Sequence, residues 1–396
     1  MSRFVASLIL LLAAVAPAVA SDTVPSGFSR RAEWRVGAEV SPEWVIPTNG
    51  FLRGENAEEK KISAAFAGDI RAGFRFAPST REGMLYKGLY QGIGLGVCTY
   101  FAGNLLGTPV SAYAFQGAPI VHLGKKAWLG YEWQFGAAFG WKHFDDQTPN
   151  NNAAVSTAVT AHMGVGLKFH YSLSEKWQVS AGVLAKHYSN GNTSWPNAGV
   201  NSVGITIGVD YAIDPKPEES AVADNAIVEE ADKARWNYDI IVYGAWRKRI
   251  VSVGDPSEPT LCLGKFGVLG MQFAPMRQLN RWVAVGPSLD LQWDESAGIA
   301  PYHVAGTYGN FIRFRRPPFA KQISVGLSAH AELTMPIFTV NGGVGYQVIN
   351  PKGDRAFYQS LTLKTFVCRN VYLNVGYSLG RFKDPKNLML GIGVRF

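Results

Sequence analysis

Beyond its first twenty residues this chain contains no run of about 18 apolar residues, the length a helix needs to cross a bilayer. A helical membrane span is therefore excluded. Charge is also scarce, at 17% Asp, Glu, Lys and Arg, against roughly 25% in an average soluble domain. That is too little for the hydrated surface of an ordinary secreted globule. Only three cysteines occur, Cys98, Cys262 and Cys368, far apart and in strand-like runs. An odd count without short spacing argues against a disulfide framework or a metal cluster, and the three read as buried or wall residues of a sheet. Neither a zinc spacing, nor a Gly-rich phosphate loop, nor a nucleic-acid patch appears.

What is present begins with an export signal. Residues 1–20, "MSRFVASLILLLAAVAPAVA", carry an early arginine, an apolar run and the small-residue ending Ala18-Val19-Ala20. This reads as a signal peptide cleaved before Ser21. No cysteine follows that point, which argues against a lipid anchor. Glycine is abundant, 43 of 396 residues, and aromatics reach 12%. An exported chain poor in charge and rich in glycine and aromatics suits an outer-membrane barrel.

Alternation with period two dominates the rest. Over residues 61–76, Phe66, Ile70, Ala72 and Phe74 share one face, and Ser63, Asp69, Arg71 and Arg75 the other. Residues 157–171 set Val159, Met163, Val165 and Leu167 against Thr160, His162, Gly164 and Lys168. In the second half, Val325, Leu327, Ala329 and Ala331 oppose Ser324, Gly326, Ser328 and His330. Strands of this length match membrane-crossing β-strands, whose apolar face meets lipid and whose polar, glycine-rich face lines the interior. The chain ends "NLMLGIGVRF", an alternating strand with a terminal aromatic.

The expected fold is an all-β antiparallel transmembrane β-barrel of about sixteen strands, eight on each side of an acidic break at residues 214–233, "DPKPEESAVADNAIVEEADK". That break has two prolines and no strand periodicity, and reads as a periplasmic linker. Residues 21–213 form a first set of eight strands and residues 234–396 a second. The pattern fits two tandem eight-stranded barrels or a single sixteen-stranded one.

One stretch breaks the lipid-facing row. In "AKHYSNGNTSWPNAGVNS", residues 185–202, His187 and Ser189 continue the row of Val179, Ala181 and Val183. Across a turn, Asn201 opens another such row with Val203, Ile205 and Ile207. With the N-terminus in the periplasm, these residues lie at the outer-leaflet level. Residues i and i+2 of a strand share a face, so an imidazole can lean on a hydroxyl as base on nucleophile. Asn201 can accept from the second ring nitrogen and orient the ring. The turn, with Asn190, Gly191 and Asn197, offers donors to an oxyanion.

"HYSNG" followed by "PNAGVN" resembles the signature of the outer-membrane lipid A 3-O-deacylases, the PagL-type acyloxyacyl hydrolases. The resemblance spans roughly residues 30–213 and is sharp over 187–201. It implies an eight-stranded barrel, a nucleophile at Ser189, a base at His187, and oxyanion support near Asn190 and Asn197. The substrate is then an ester-linked acyl chain of lipid A or a related glycolipid, in lipopolysaccharide, with no cofactor. The family's triad acid is Glu at the position of Asn201, where this chain departs. A neutral amide orients the ring but cannot balance an imidazolium with a full charge. The formal charge of +8 suits a phosphate-bearing partner.

The other candidates read as structural. His162, His170 and His330 fall on interior faces and are expected to be satisfied lumen residues. "HFDDQTPNNN", residues 143–152, groups His143, Asp145 and Asp146 but falls where a solvated outer loop is expected, so no metal site is assigned. "GYSLG" at 376–380 lacks the histidine, and Ser378 faces the interior row, so it is no second copy of the site. The alternative to an esterase is a passive barrel, a pore or structural protein, that keeps a decayed motif.

Overall fold

The protein is described by a computed structural model, covering residues 32–145, 151–213, 215, 225–253, 258–305, 312–351, 355–382 and 384–396. The signal peptide, Asp146 and most of residues 214–224 lie outside the described residues. Two compact units are present.

The first is a closed antiparallel barrel in which eight strands pair in sequence order. They are β1 (Ala32–Ile46), β2 (Ala64–Phe76), β3 (Tyr90–Thr99), β4 (Gly107–His122), β5 (Ala127–Trp141), β6 (Val159–Ser172), β7 (Trp177–Ser189) and β8 (Val200–Ala212). Short helices α1 (Gly50–Arg53) and α2 (Arg81–Leu85) lie in its connections. β8 pairs back onto β1, with Val40 opposite Ile207 and Ala38 opposite Val209. That pairing removes the sheet's edges and decides for two barrels against one of sixteen strands.

Eight further strands close a second antiparallel barrel. After helix α3 (Asn225–Asp232) come β9 (Arg235–Arg247) and the small hairpin β10 (Ile250–Val253) and β11 (Glu258–Leu261). β12 (Phe266–Gln278) and β13 (Val283–Asp294) precede a second hairpin, β14 (His303–Ala305) and β15 (Ile312–Phe314). β16 (Ile323–Thr334), β17 (Phe338–Ile349), β18 (Phe357–Phe366), β19 (Val371–Gly380) and β20 (Asp384–Arg395) complete it. Barrel strands thus number sixteen, and the two small hairpins are additions that the alternation does not show. Within the acidic break the described residues include helix α3, which its mixed composition had concealed.

Alternation runs inside out, as expected. Ile70, Val165, Val183, Ile205 and Ile207 are exposed, while Asp69, Lys168, Lys186 and Thr206 are buried. No helix among the described residues is long and apolar enough to cross a membrane. An eight-stranded barrel leaves room only for its own side chains, so each interior charge needs a partner. Lys168 Nζ lies 2.5 Å from Glu39 and 2.9 Å from Glu132, and Arg71 bridges the same carboxylates at 2.8 and 2.5 Å. In the second barrel Arg395 binds Asp239 at 2.6 Å and Glu332 at 2.7 Å, and Lys364 pairs with the same two acids.

One end of the first barrel is capped by an apolar cluster from its longer connections. Val45, Phe51, Leu52, Tyr100, Leu105, Leu106, Trp141, Ala154, Val155, Tyr188 and Val200 are all buried there. The stretch 143–152 expected as a solvated loop therefore departs from that reading at its end. Asn152 is fully buried and leads into Ala154 and Val155, because the cap needs apolar mass over an otherwise polar lumen. The cysteines also depart in part. Cys98 in β3 and Cys262 just after β11 are buried, as expected, whereas Cys368 is exposed in the β18–β19 turn.

Lys168→Met leaves Glu39 and Glu132 sharing one guanidinium in a site without bulk water. Breaking a buried pair in this way costs about 3–5 kcal/mol. The urea midpoint for unfolding in detergent should fall sharply, while Val165→Ala on the outer face should shift it little.

Candidate active site

β7 and β8 deliver the site by the same alternation. Leu184, Lys186 and Tyr188 point inward and are buried, so His187 and Ser189 point outward, half-buried. Tyr188 fixes the strand from inside, its ring edge-on to Trp141 at 5.4 Å and to His162 at 5.1 Å between centroids. One step earlier, Lys186 pairs with Glu43 at 2.8 Å, and Ser202 on β8 donates to the same carboxylate at 2.6 Å. The inward residues thus hold the backbone on which the outward ones are mounted.

Register places His187 directly opposite Asn201. His187 Nδ1 and Asn201 Oδ1 are 2.7 Å apart. An amide oxygen only accepts, so Nδ1 carries the proton and a neutral ring keeps its lone pair on Nε2, as a base requires. Ser189 lies two residues on along the same face, and β6 sets Met163 opposite His187 and Ala161 opposite Ser189. Among the described residues no hydrogen bond joins the Ser189 hydroxyl to the ring. In unliganded hydrolases that bond is often long and closes with substrate.

The turn residues are tied to one another. Asn190 is buried, its N–H donating to Asn197 Oδ1 at 3.0 Å and its Nδ2 to Ser156 Oγ at 3.0 Å. Through these two bonds Asn190 ties the turn to Asn197 and to Ser156. Gly191 has φ +61° and Asn192 φ +63°, so glycine here serves the left-handed turn.

Two contributors were not visible as such in the sequence. Gly199, at φ +73°, backs the imidazole so closely that a Cβ there would sit 3.0 Å from His187 Cε1. Ser156, from the connection before β6, reaches Asn190 as described. The "PNAG" turn signal was legible, but its closeness to His187 was not. His143 and Asp145 belong to no metal-binding group among the described residues.

Of the lumen histidines, His162 lies 3.1 Å from both Ser111 Oγ and Gln134 Oε1, as expected. His170 departs. It stacks on Trp128 at 3.7 Å, and among the described residues its ring nitrogens have no hydrogen bond of normal geometry, with Gln178 nearby. His330 is satisfied, and in a suggestive way. Its Nδ1 lies 2.7 Å from Asn341 Oδ1 and its Nε2 2.9 Å from Ser328 Oγ. The same three residue types thus recur in the second barrel, but on the buried inner face. Ser328 also donates to Asp290 at 2.7 Å, and a packed lumen admits no glycolipid.

Residues 55–210 match the family model of the lipid A 3-O-deacylase PagL, and residues 236–396 that of the acyloxyacyl hydrolase C-terminal domain. No curated protein matches the chain. Among solved structures, the outer-membrane enzyme PagL is 14% identical, with 44% of this chain and 97% of that chain covered and a TM-score of 0.28. The siderophore receptor PirA from Acinetobacter baumannii is 8% identical, with 88% and 68% covered and a TM-score of 0.22. The two family matches take in nearly all of both barrels, and the chain belongs to the PagL-type lipid A 3-O-deacylase family of outer-membrane β-barrels.

Proposed function

We propose that the first barrel is a serine esterase that removes an ester-linked acyl chain from lipid A or a related outer-leaflet glycolipid. The His187–Asn201 hydrogen bond on the outward wall, with Ser189 on the same face, carries this reading. Below the site the wall is apolar and exposed at Val183, Val165 and Ile205, so an acyl chain can lie against it without leaving the bilayer. His187 and Ser189 end β7, and Asn201 is the second residue of β8, so the polar groups sit at the rim. There, lipid-facing polar side chains cost least. With the N-terminus in the periplasm, that rim meets the outer leaflet.

Ser189 Oγ attacks the ester carbonyl carbon while His187 Nε2 takes its proton. The tetrahedral oxyanion is met by the NH2 group of Asn197, whose amide oxygen is already engaged by Asn190. Collapse expels the sugar-side alkoxide, which takes the proton back from His187, and leaves an acyl-enzyme. Water, deprotonated by His187, then releases the fatty acid. Asn201 holds the ring in the productive tautomer throughout. We assign the chemistry to the first barrel and none to the second. The replacement of the family's Glu by Asn201 favours one rival, a passive barrel with a decayed site.

Mass spectrometry of lipid A from cells with and without the protein decides between the two. A lost acyl chain supports the esterase, and an unchanged pattern sinks it. Ser189→Ala and His187→Ala should each cut deacylation by roughly a thousandfold or more while the barrel stays heat-modifiable on gels. Full activity in Ser189→Ala removes the nucleophile from the scheme.

Asn201→Ala should lower the rate by about 10- to 100-fold without abolishing it, because a triad's third member contributes least. Asn201→Glu supplies the charge that balances an imidazolium, and its rate should equal or exceed wild type. If both variants keep the wild-type rate, Asn201 has no part in the reaction.

Gly199→Ala combines a left-handed φ with a methyl group against the imidazole. Displacing a base by a fraction of an ångström should cost about 10- to 100-fold in kcat. A wild-type kcat would show that the ring does not depend on this backing.

A further inference from the structure

The geometry points to Asn152 as a positioning residue of this site, acting through residues 153–156 on both His187 and Asn190. The inference rests on the esterase reading. It starts from a segment that the sequence presents as a polar loop and the structure buries. Asn152 is fully buried, and its Nδ2 donates to Lys142 O at 2.6 Å. Its Oδ1 accepts from Ala154 N and Val155 N, both at 3.0 Å. One side chain thus ties the backbone of Ala154 and Val155 to that of Lys142, just after β5. Val155 O in turn accepts from Phe144 N at 2.7 Å, and Ala154 and Val155 are locked in the apolar cap.

Two branches leave this segment for the site. Ala153 O accepts from Ala198 N at 3.1 Å and Ala154 O from Gly199 N at 2.9 Å. These bonds set the position of Gly199, whose Cα backs the His187 ring. The second branch is Ser156 Oγ, which accepts from Asn190 Nδ2 at 3.0 Å, while Asn190 N–H holds Asn197 Oδ1. One buried amide thus governs both the backing of the base and the asparagine pair of the turn. Asn49 Nδ2 reaches Gly199 O only at 3.5 Å, so the Asn152 side carries the stronger hold.

The test uses full-length protein refolded in detergent micelles, with two readouts. The first is kcat and KM for lipid A deacylation. The second is amide exchange in protein labelled with 15N-glycine, where Gly199 reports the segment and Gly182, within β7, reports the barrel. Asn152→Ala should lower kcat by about 10- to 100-fold with KM within about twofold. Gly199 should lose about 100-fold in protection and Gly182 none. Asn152→Asp keeps the acceptor for Ala154 and Val155 but loses the bond to Lys142, and should show part of each loss, with kcat down about threefold and Gly199 protection down about tenfold. Ser156→Ala should lower kcat by about tenfold and leave Gly199 exchange unchanged.

Wild-type kcat and wild-type Gly199 exchange in Asn152→Ala overturn the inference. If Asn152→Ala also opens Gly182, the decision passes to Asn152→Asp. A lowered kcat with faster Gly199 exchange there supports the inference, and wild-type values overturn it. Failure of the esterase reading is distinguishable. It shows as full activity in Ser189→Ala or no activity in wild type, and the Gly199 exchange comparison still decides whether Asn152 holds the backing of His187.

Discussion

An eight-stranded barrel has no room inside for bulk water, and a charge placed there must find its partner among the barrel's own side chains. Both barrels meet this constraint in the same way. In the first, Lys168 and Arg71 are shared between Glu39 and Glu132, and in the second, Lys364 and Arg395 between Asp239 and Glu332. Each quartet draws its residues from distant strands, so it also ties the barrel across its diameter. Glycines facing these groups leave the space the long side chains occupy. A Cβ on Gly182 would lie 2.9 Å from Lys168 Cγ, for example. The filled interior leaves the wall and the rim as the places where chemistry on a lipid can occur.

That division of labour explains how a strand end can hold a precise outward group. His187 and Ser189 project towards lipid, where little packs against them, yet the residues between and before them are among the most firmly held in the barrel. Tyr188 sits in an aromatic group under the cap, and Lys186 is tied to Glu43 together with Ser202 of the facing strand. The His187–Asn201 pair inherits its register from these inner contacts. What remains free is the ring's own rotation, and Asn201 and Gly199 restrict that from two sides.

The sequence discloses whatever is encoded with period two. Which residues of β7 and β8 face outward, and hence that His187, Ser189 and Asn201 share a wall, follows from alternation alone. The cross-strand pairing of His187 with Asn201 was legible because a single turn joins the two strands. Closure was not legible, since alternation is the same whether β8 pairs with β1 or with β9. Nor were the contributions of Asn152, Ser156 and Gly199. "NNN" and "PNAG" look like solvated turns, and only the apolar cap, assembled from connections distant in sequence, buries Asn152 at the end of the first and presses the second against the imidazole. Asn190 and Asn197 were legible as polar turn residues, but the hydrogen bond from Asn190 N–H to Asn197 Oδ1 is a property of the folded turn.

The second barrel shows how strongly the face decides the role. Ser328, His330 and Asn341 are joined by hydrogen bonds more completely than the outward trio is. Asn341 Nδ2 donates to Glu332 at 3.1 Å, which turns its Oδ1 to His330 and fixes the ring's Nδ1 as a donor. Ser328 Oγ lies within hydrogen-bond distance of both Nε2 and Asp290, and its single proton goes to one of them, with the carboxylate the stronger acceptor. Ser288 at 2.6 Å and Gln272 at 3.0 Å also donate to Asp290, so the carboxylate acts as the acceptor on which the group converges. A serine drawn to a carboxylate in a side-chain-filled lumen is a link in a structural network. Among the described residues the outward serine makes no such bond, and that openness is what the proposed role as nucleophile requires.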